Sequence, residues 1–213
     1  MSAPEYLMGI DIGTYSSKGV LVAEDGTVAA SHVEPHTIEM PHPGWVEQDA
    51  DAIWWHDCVQ ISRQLLAQNG INKGRIAAVG ISSTSPCVLP VDAAGRPLRA
   101  GILYGIDTRA TAEIAELEAE LGVEALFDRY GVKLSSQSTS PKILWLRKHE
   151  PQVWAKTHLL LGGAGYLVYR LTGQAVLDIY DAGAYAPLFD VQACAWNPGM
   201  ADTIAPLERL PRL

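Results

Sequence analysis

Residues 7–22, Leu-Met-Gly-Ile-Asp-Ile-Gly-Thr-Tyr-Ser-Ser-Lys-Gly-Val-Leu-Val, constrain the fold of this chain more than any other stretch. Two apolar runs flank a short, polar turn that contains a glycine, which reads as a β-hairpin. Asp11 interrupts the first run just before the turn. A carboxylate beside buried apolar neighbours is costly unless it is paired or bound to a metal. Gly13 lets the backbone approach a ligand closely. Thr14, Ser16 and Ser17 add hydroxyls, their backbone N–H groups can form an anion-binding concavity, and Lys18 adds a positive charge. Two readings stand side by side: an ordinary hairpin with a capping aspartate, or a cradle for a metal-bound polyphosphate. It is not a P-loop, which needs a different spacing and a helix after the turn.

The remainder of the chain supplies alternating strands and helices. Glu24-Asp25-Gly26 is a turn signal, and Val28 to Val33 reads as a third strand. The proline-bearing stretch from His36 to Gln48 reads as loop. Asp49 or Asp51 can cap the next helix, in which Trp54, Cys58, Ile61 and Leu65 share one face and which Gly70 ends. Ile76 to Ser82 reads as a buried strand. Val88–Val91 and Pro97-Leu98 read as a second hairpin about the Asp92–Gly95 turn. Ile102-Leu103-Tyr104 reads as a short strand, followed by a helix capped by Thr108 and stopped at Gly122. Ser140-Pro141 starts another helix, which Pro151 stops. Leu159–Leu161 is strand-like, and Gly162–Gly165 opens a helix that ends at Gly173. That glycine-rich turn lacks the spacing and the downstream acid of a dinucleotide site.

Length and composition bound the function. The chain has 213 residues, 48% apolar and 19% charged, and a net charge of −8 with no Lys/Arg block. These values suit a globular protein and argue against nucleic acid or an anionic membrane as a partner. Cys58, Cys87 and Cys194 form no C-x-x-C pair, and no basic, apolar leader opens the sequence, so the expectation is a cytoplasmic, soluble protein.

The hairpin string Gly9-Ile10-Asp11-Ile12-Gly13-Thr14 with Ser16-Ser17-Lys18 resembles the first phosphate hairpin of the actin-like ATPase superfamily. Gly44-Trp45-Val46-Glu47-Gln48-Asp49 followed by Trp54-Trp55 narrows the resemblance to the FGGY carbohydrate kinases, the group of xylulokinases and glycerol kinases. Asp178–Ala184 resembles a further family segment that supports the site. The resemblance implies an α/β, ribonuclease H-like mixed sheet with flanking helices. It implies that residues 1–213 correspond to the first domain, with the second, ATP-binding domain and the catalytic base lying beyond them. It implies ATP and Mg2+ as co-substrate and metal, with Asp11 organising the metal and Gly13, Thr14, Ser16, Ser17 and Lys18 meeting the phosphates.

For the sugar or polyol, the resemblance points to Thr84, Ser85, Tyr104, Asp107 and Gln137. The residues themselves leave the Tyr104–Arg109 stretch open between a polyhydroxyl site and a local ion pair. Thr84-Ser85-Pro86 matches neither the Q-R-E of glycerol kinases nor the Q-M-H of xylulokinases. Tyr104 stands where both have tryptophan. The expected activity is phosphoryl transfer to a ketose or polyol hydroxyl. The alternative is a non-catalytic sugar- or nucleotide-binding module, a kinase remnant without its base. A homodimer that closes a cleft between two copies is a third arrangement the sequence allows. A ROK-type sugar kinase would carry a cysteine-rich zinc motif, which this sequence lacks.

Overall fold

A computed structural model describes residues 5–68 and 70–213. The opening strands form as the alternation dictates. β1 (Tyr6–Ile12), β2 (Ser16–Ala23) and β3 (Val28–Pro35) follow one another antiparallel. β4 (Glu47–Gln48) is a short excursion in the long loop. Asp49 then caps a helical segment, its carboxylate accepting from the N–H groups of Asp51 and Ala52 at 2.9 and 2.8 Å. The first turn of that segment, Ala50–Trp55, is wide (π-helical) and runs straight into α1 (His56–Gln68). The helix returns the chain to β5 (Ile76–Ser83), which lies parallel to β1 and completes a mixed sheet in the order β3-β2-β1-β5.

One face of this sheet is closed by α1. Trp54, Cys58, Ile61 and Leu65 are buried against Met8, Ile10, Ile12 and Leu21, as the helical period requires. The contact is close: a β-carbon at Gly19 would sit 2.2 Å from the Ile61 side chain. The other face is open. Leu7 and Val20 are 52% and 39% exposed there. In-register neighbours put Gly9, Val20 and Gly80 along a trough of about 400 Å3, with Asp11, Lys18 and Ser82 at one end.

β5 departs from expectation. It forms where the apolar run predicts, yet Ala77–Gly80 are exposed rather than buried. The strand is the outer one of the sheet, and its small side chains lie at that edge.

The second hairpin forms through β6 (Leu89–Val91), with Gly95 at φ +75° in the turn. β7 (Gly101–Ile102) pairs with β4. Helices α2 (Thr111–Leu121), α3 (Val123–Tyr130), α4 (Thr139–His149) and α5 (Pro151–Lys156) follow, then β8 (Leu159–Leu161) and α6 (Gly163–Thr172). A four-residue helix, α7 (Ile179–Ala182), is capped by Asp178. Leu117, Ile143, Leu146, Tyr185 and Phe189 belong to a second apolar cluster. Three expectations change here. Thr108 does not cap α2, which begins three residues later with no side-chain cap. Gly122 stops α2 but opens α3 at once, and Pro151 both stops α4 and occupies the first turn of α5. In the last two cases a residue read as a terminator also begins the next helix.

Candidate functional site

The hairpin places Asp11 at the end of β1, opposite Lys18 on β2 and beside Ser82 on β5. All three lie on the open face of the sheet. Ser82 Oγ donates to Asp11 Oδ1 at 2.9 Å, which fixes the carboxylate and leaves its second oxygen without a protein partner among the described residues. Gly13 is dictated by sterics: a β-carbon there would lie 2.5 Å from the Ser16 carbonyl oxygen, which also accepts from the Gly13 N–H. Tyr15 is 64% exposed at the tip of the turn.

Below the turn the polar groups are already engaged. Ser17 is 0% exposed, and its hydroxyl donates to the Asp57 carboxylate at 2.7 Å. It therefore cannot meet a phosphate, which corrects the expectation for that residue. The alternation of β2 turns Ser17 to the α1 side and Lys18 to the open side. Gln48 Nε2 donates to the Thr14 carbonyl at 2.9 Å, and its Oε1 accepts from the Trp54 indole at 2.9 Å.

The turn is tied to a second region by one side-chain contact. Thr14 Oγ1 and the Tyr104 hydroxyl are 3.0 Å apart. Tyr104 sits on the loop after β7, whose carbonyls are held from beneath. Lys142 Nζ, on α4, donates to Leu103 O at 2.6 Å and Tyr104 O at 2.7 Å. Burial pushes the Lys142 ammonium down to about 8, partly offset by the nearby Asp107 carboxylate. Gln137 Oε1 accepts from the Gly105 N–H at 3.1 Å, and its amide packs so closely over Gly105 that a β-carbon there would lie 2.4 Å from Nε2.

Gln137 and Ser85 line a cavity of about 380 Å3 together with Lys133, Tyr180 and Asp181. Ser85 Oγ donates to Asp181. Burial, reinforced by the Asp178 charge, raises the Asp181 carboxyl to about 6. A concave site holding a titrating carboxyl, an amide, a hydroxyl and an amine suits a small polyhydroxylated ligand. Thr84 stands aside from this cavity. Its N–H donates to Ile12 O at 2.7 Å and its hydroxyl approaches Cys87 Sγ at 3.6 Å, which binds the end of β5 to that of β1.

Asp107 is the second correction. It is 0% exposed, accepts from the Val46 N–H at 2.6 Å, and grips Arg109 through Nε at 2.9 Å and Nη2 at 2.7 Å. Its oxygens are committed to the fold, so of the two readings left open for this stretch the ion pair holds. Sequence reasoning missed His36, Asp57 and Gln48 beneath the turn. Their only signal was polarity at positions destined for burial. Among the described residues, no group of three or more His, Cys, Asp or Glu side chains could hold a metal ion, and no helix is long and apolar enough to cross a membrane.

A sequence model described as the N-terminal domain of the FGGY family of carbohydrate kinases matches residues 6–213. The chain is 33% identical over 193 residues to the xylulose kinase of Escherichia coli (strain K12), an alignment that covers 91% of this chain and 38% of the relative. It is 30% identical over 198 residues to the glycerol kinase of Janthinobacterium sp. (strain Marseille), covering 91% and 39%. Among solved structures, the xylulose kinase from Rhodospirillum rubrum superposes with a TM-score of 0.88 at 28% identity, over 98% of this chain and 43% of that one. The chain thus spans about two fifths of the length of the relatives it matches.

Proposed function

We propose that this chain, which belongs to the FGGY family of carbohydrate kinases, forms the sugar-facing domain and first phosphate hairpin of an ATP-dependent kinase for a ketose or polyol. The observation that carries the reading is the 3.0 Å contact between Thr14 and Tyr104. It couples the hairpin to the loop that borders the Ser85–Gln137–Asp181 cavity. Phosphoryl transfer needs such coupling, because its catalysis is chiefly positioning and charge stabilisation.

The hairpin residues fit a metal-bound polyphosphate. Asp11 offers one free carboxylate oxygen to a cation, and a magnesium ion held by one carboxylate and phosphate oxygens needs no larger protein cage. When bound, the ion neutralises charge on the phosphates. Lys18, on the same open face, is free to meet phosphate oxygens, and Ser16 and the Thr14 hydroxyl stand beside it. Gln137 and Ser85 orient sugar hydroxyls, with Lys133 and Asp181 as further polar contacts of the same cavity. Thr84 supports the strand end that carries Ser85.

The test is calorimetric binding of MgATP and of a panel of ketoses, polyols and aldonates, followed by sugar-dependent ADP release. Saturable binding of one ketose or polyol, with ADP release by the protein that carries this domain, is the expected result. Sugar binding without ADP formation would favour the non-catalytic module. No binding of any sugar, with Ser85→Ala and Gln137→Ala indistinguishable from the parent, would sink the cavity assignment.

A further inference from the structure

Beneath the hairpin turn lies a buried serine–aspartate–histidine cluster that the proposed reaction leaves unused. His36, just after β3, and Asp57, in the first turn of α1, have side chains 7% exposed. His36 Nδ1 lies 2.8 Å from Asp57 Oδ2, the oxygen that also accepts from Ser17. His36 Nε2 lies 3.0 Å from the Gly13 carbonyl oxygen. A carbonyl only accepts, and so does an ionised carboxylate, so both ring nitrogens must donate. The ring that satisfies both contacts is the imidazolium. A buried carboxylate also needs a cation beside it.

We propose that His36, held by Asp57, is a positioning residue of the phosphate turn: with Gln48 it draws the Gly13 and Thr14 carbonyls inward and so turns the Thr14 and Tyr15 N–H groups outward as an anion nest. The geometry follows from the peptide unit. In a trans peptide the C=O of one residue and the N–H of the next point in opposite directions. Both links in the turn are trans. The Gly13 carbonyl meets His36 and the Thr14 carbonyl meets Gln48, both on the buried side. The Thr14 and Tyr15 N–H groups therefore face the other way, and neither has an acceptor among the described residues. The His36 backbone N–H adds a third tie, to Tyr15 O at 3.0 Å. Successive outward N–H groups are the elements of an anion nest, and a buried cation behind them raises the local potential. The titratable groups against the ring are Asp57 and, behind it, His56, whose Nδ1 lies 3.2 Å from Asp57 Oδ1; the His32–Glu34 pair lies two to four residues back along the chain.

This inference rests on the phosphate reading of the hairpin, and the experiment separates the two. Nitrogen-15 NMR of the histidine side chains at pH 7 reports ring protonation, and calorimetry with magnesium tripolyphosphate reports the nest. The panel is the parent protein, His36→Gln, His36→Arg and Asp11→Ala. The expected results are a doubly protonated His36 ring, tripolyphosphate affinity about tenfold weaker in His36→Gln, and partial recovery in His36→Arg. The ring assignment is read on the parent itself and needs no variant to fold. Affinity within twofold of the parent in His36→Gln, while Asp11→Ala loses binding, would overturn the positioning role and leave the phosphate hairpin standing. A singly protonated ring at pH 7 would overturn it as well. A folded parent that binds no tripolyphosphate would overturn both.

Discussion

Asp57 and Asp107 are both buried carboxylates, and each lies under a loop that faces the proposed ligands. They differ in the cation they hold. Asp107 grips Arg109, whose guanidinium also stacks 4.3 Å from the Trp45 ring and lies 2.7 Å from Glu47. That charge is permanent. Asp57 instead holds the imidazole of His36. The loop after β7 is therefore anchored by a permanent charge, and the hairpin turn by an imidazole against a carboxylate. Similar local chemistry gives two supports of different kind.

The largest test of that contrast is removal of each carboxylate. Asp107→Ala takes from a fully buried guanidinium the carboxylate that grips it through two nitrogens, leaving it Glu47, and should cost about 3–5 kcal/mol in urea denaturation. Asp57→Ala should cost less, about 1–3 kcal/mol, because the imidazole can become neutral. Equal losses would erase the distinction. A smaller effect concerns Lys142, whose folded-state value of about 8 lies below the ordinary 10.5. The folded chain then binds fewer protons than the unfolded chain between those values, so this group's contribution to stability rises with pH. The parent should gain about 2 kcal/mol relative to Lys142→Met between pH 8 and pH 10. A constant difference would mean that Lys142 is not desolvated.

Asp181 works in the opposite sense. Its folded value of about 6 lies above the ordinary 3.8. The folded chain binds the extra proton between about pH 4 and 6, so the associated stability is lost as pH rises through that window. Asp181→Asn should flatten the decline by about 1–2 kcal/mol, after allowance for its partial exposure. Melting curves at pH 4 and pH 7 would show it, and parallel curves for the two proteins would exclude it. The smallest effect is the link between the two regions. A double-mutant cycle of Thr14→Val and Tyr104→Phe should give a coupling of about 0.5–1 kcal/mol in sugar affinity with MgATP present. Strict additivity would show that the two loops act independently.

Much of this fold was legible because its signals are local. The hairpin strands, the Trp54–Cys58–Ile61–Leu65 face and the stops at Gly122 and Gly173 follow from periodicity and backbone freedom over a few residues. What escaped was non-local. Whether Ser17 or Lys18 faces the ligand depends on which side of β2 the helix α1 covers. Asp107 was ambiguous until Val46, far from it in sequence, placed an N–H on its carboxylate. His36 and Asp57 are 21 positions apart, and nothing near either one predicts the other. β5 misled because a continuous apolar run looks the same at an edge as at a centre.

The string Glu47-Gln48-Asp49 gathers these separate supports into adjacent positions. Glu47 turns to Arg99 and Arg109, Gln48 to the Thr14 carbonyl and the Trp54 indole, and Asp49 to the first N–H groups of the helix. Three neighbouring side chains thus act as a three-way junction, and each arm runs to a different part of the site. Such a junction tolerates a change of side chain far better than a change of spacing. Inserting one residue between Glu47 and Gln48 would put the Arg99 and Arg109 arm out of step with the Thr14 arm, although no atom of any partner had been altered.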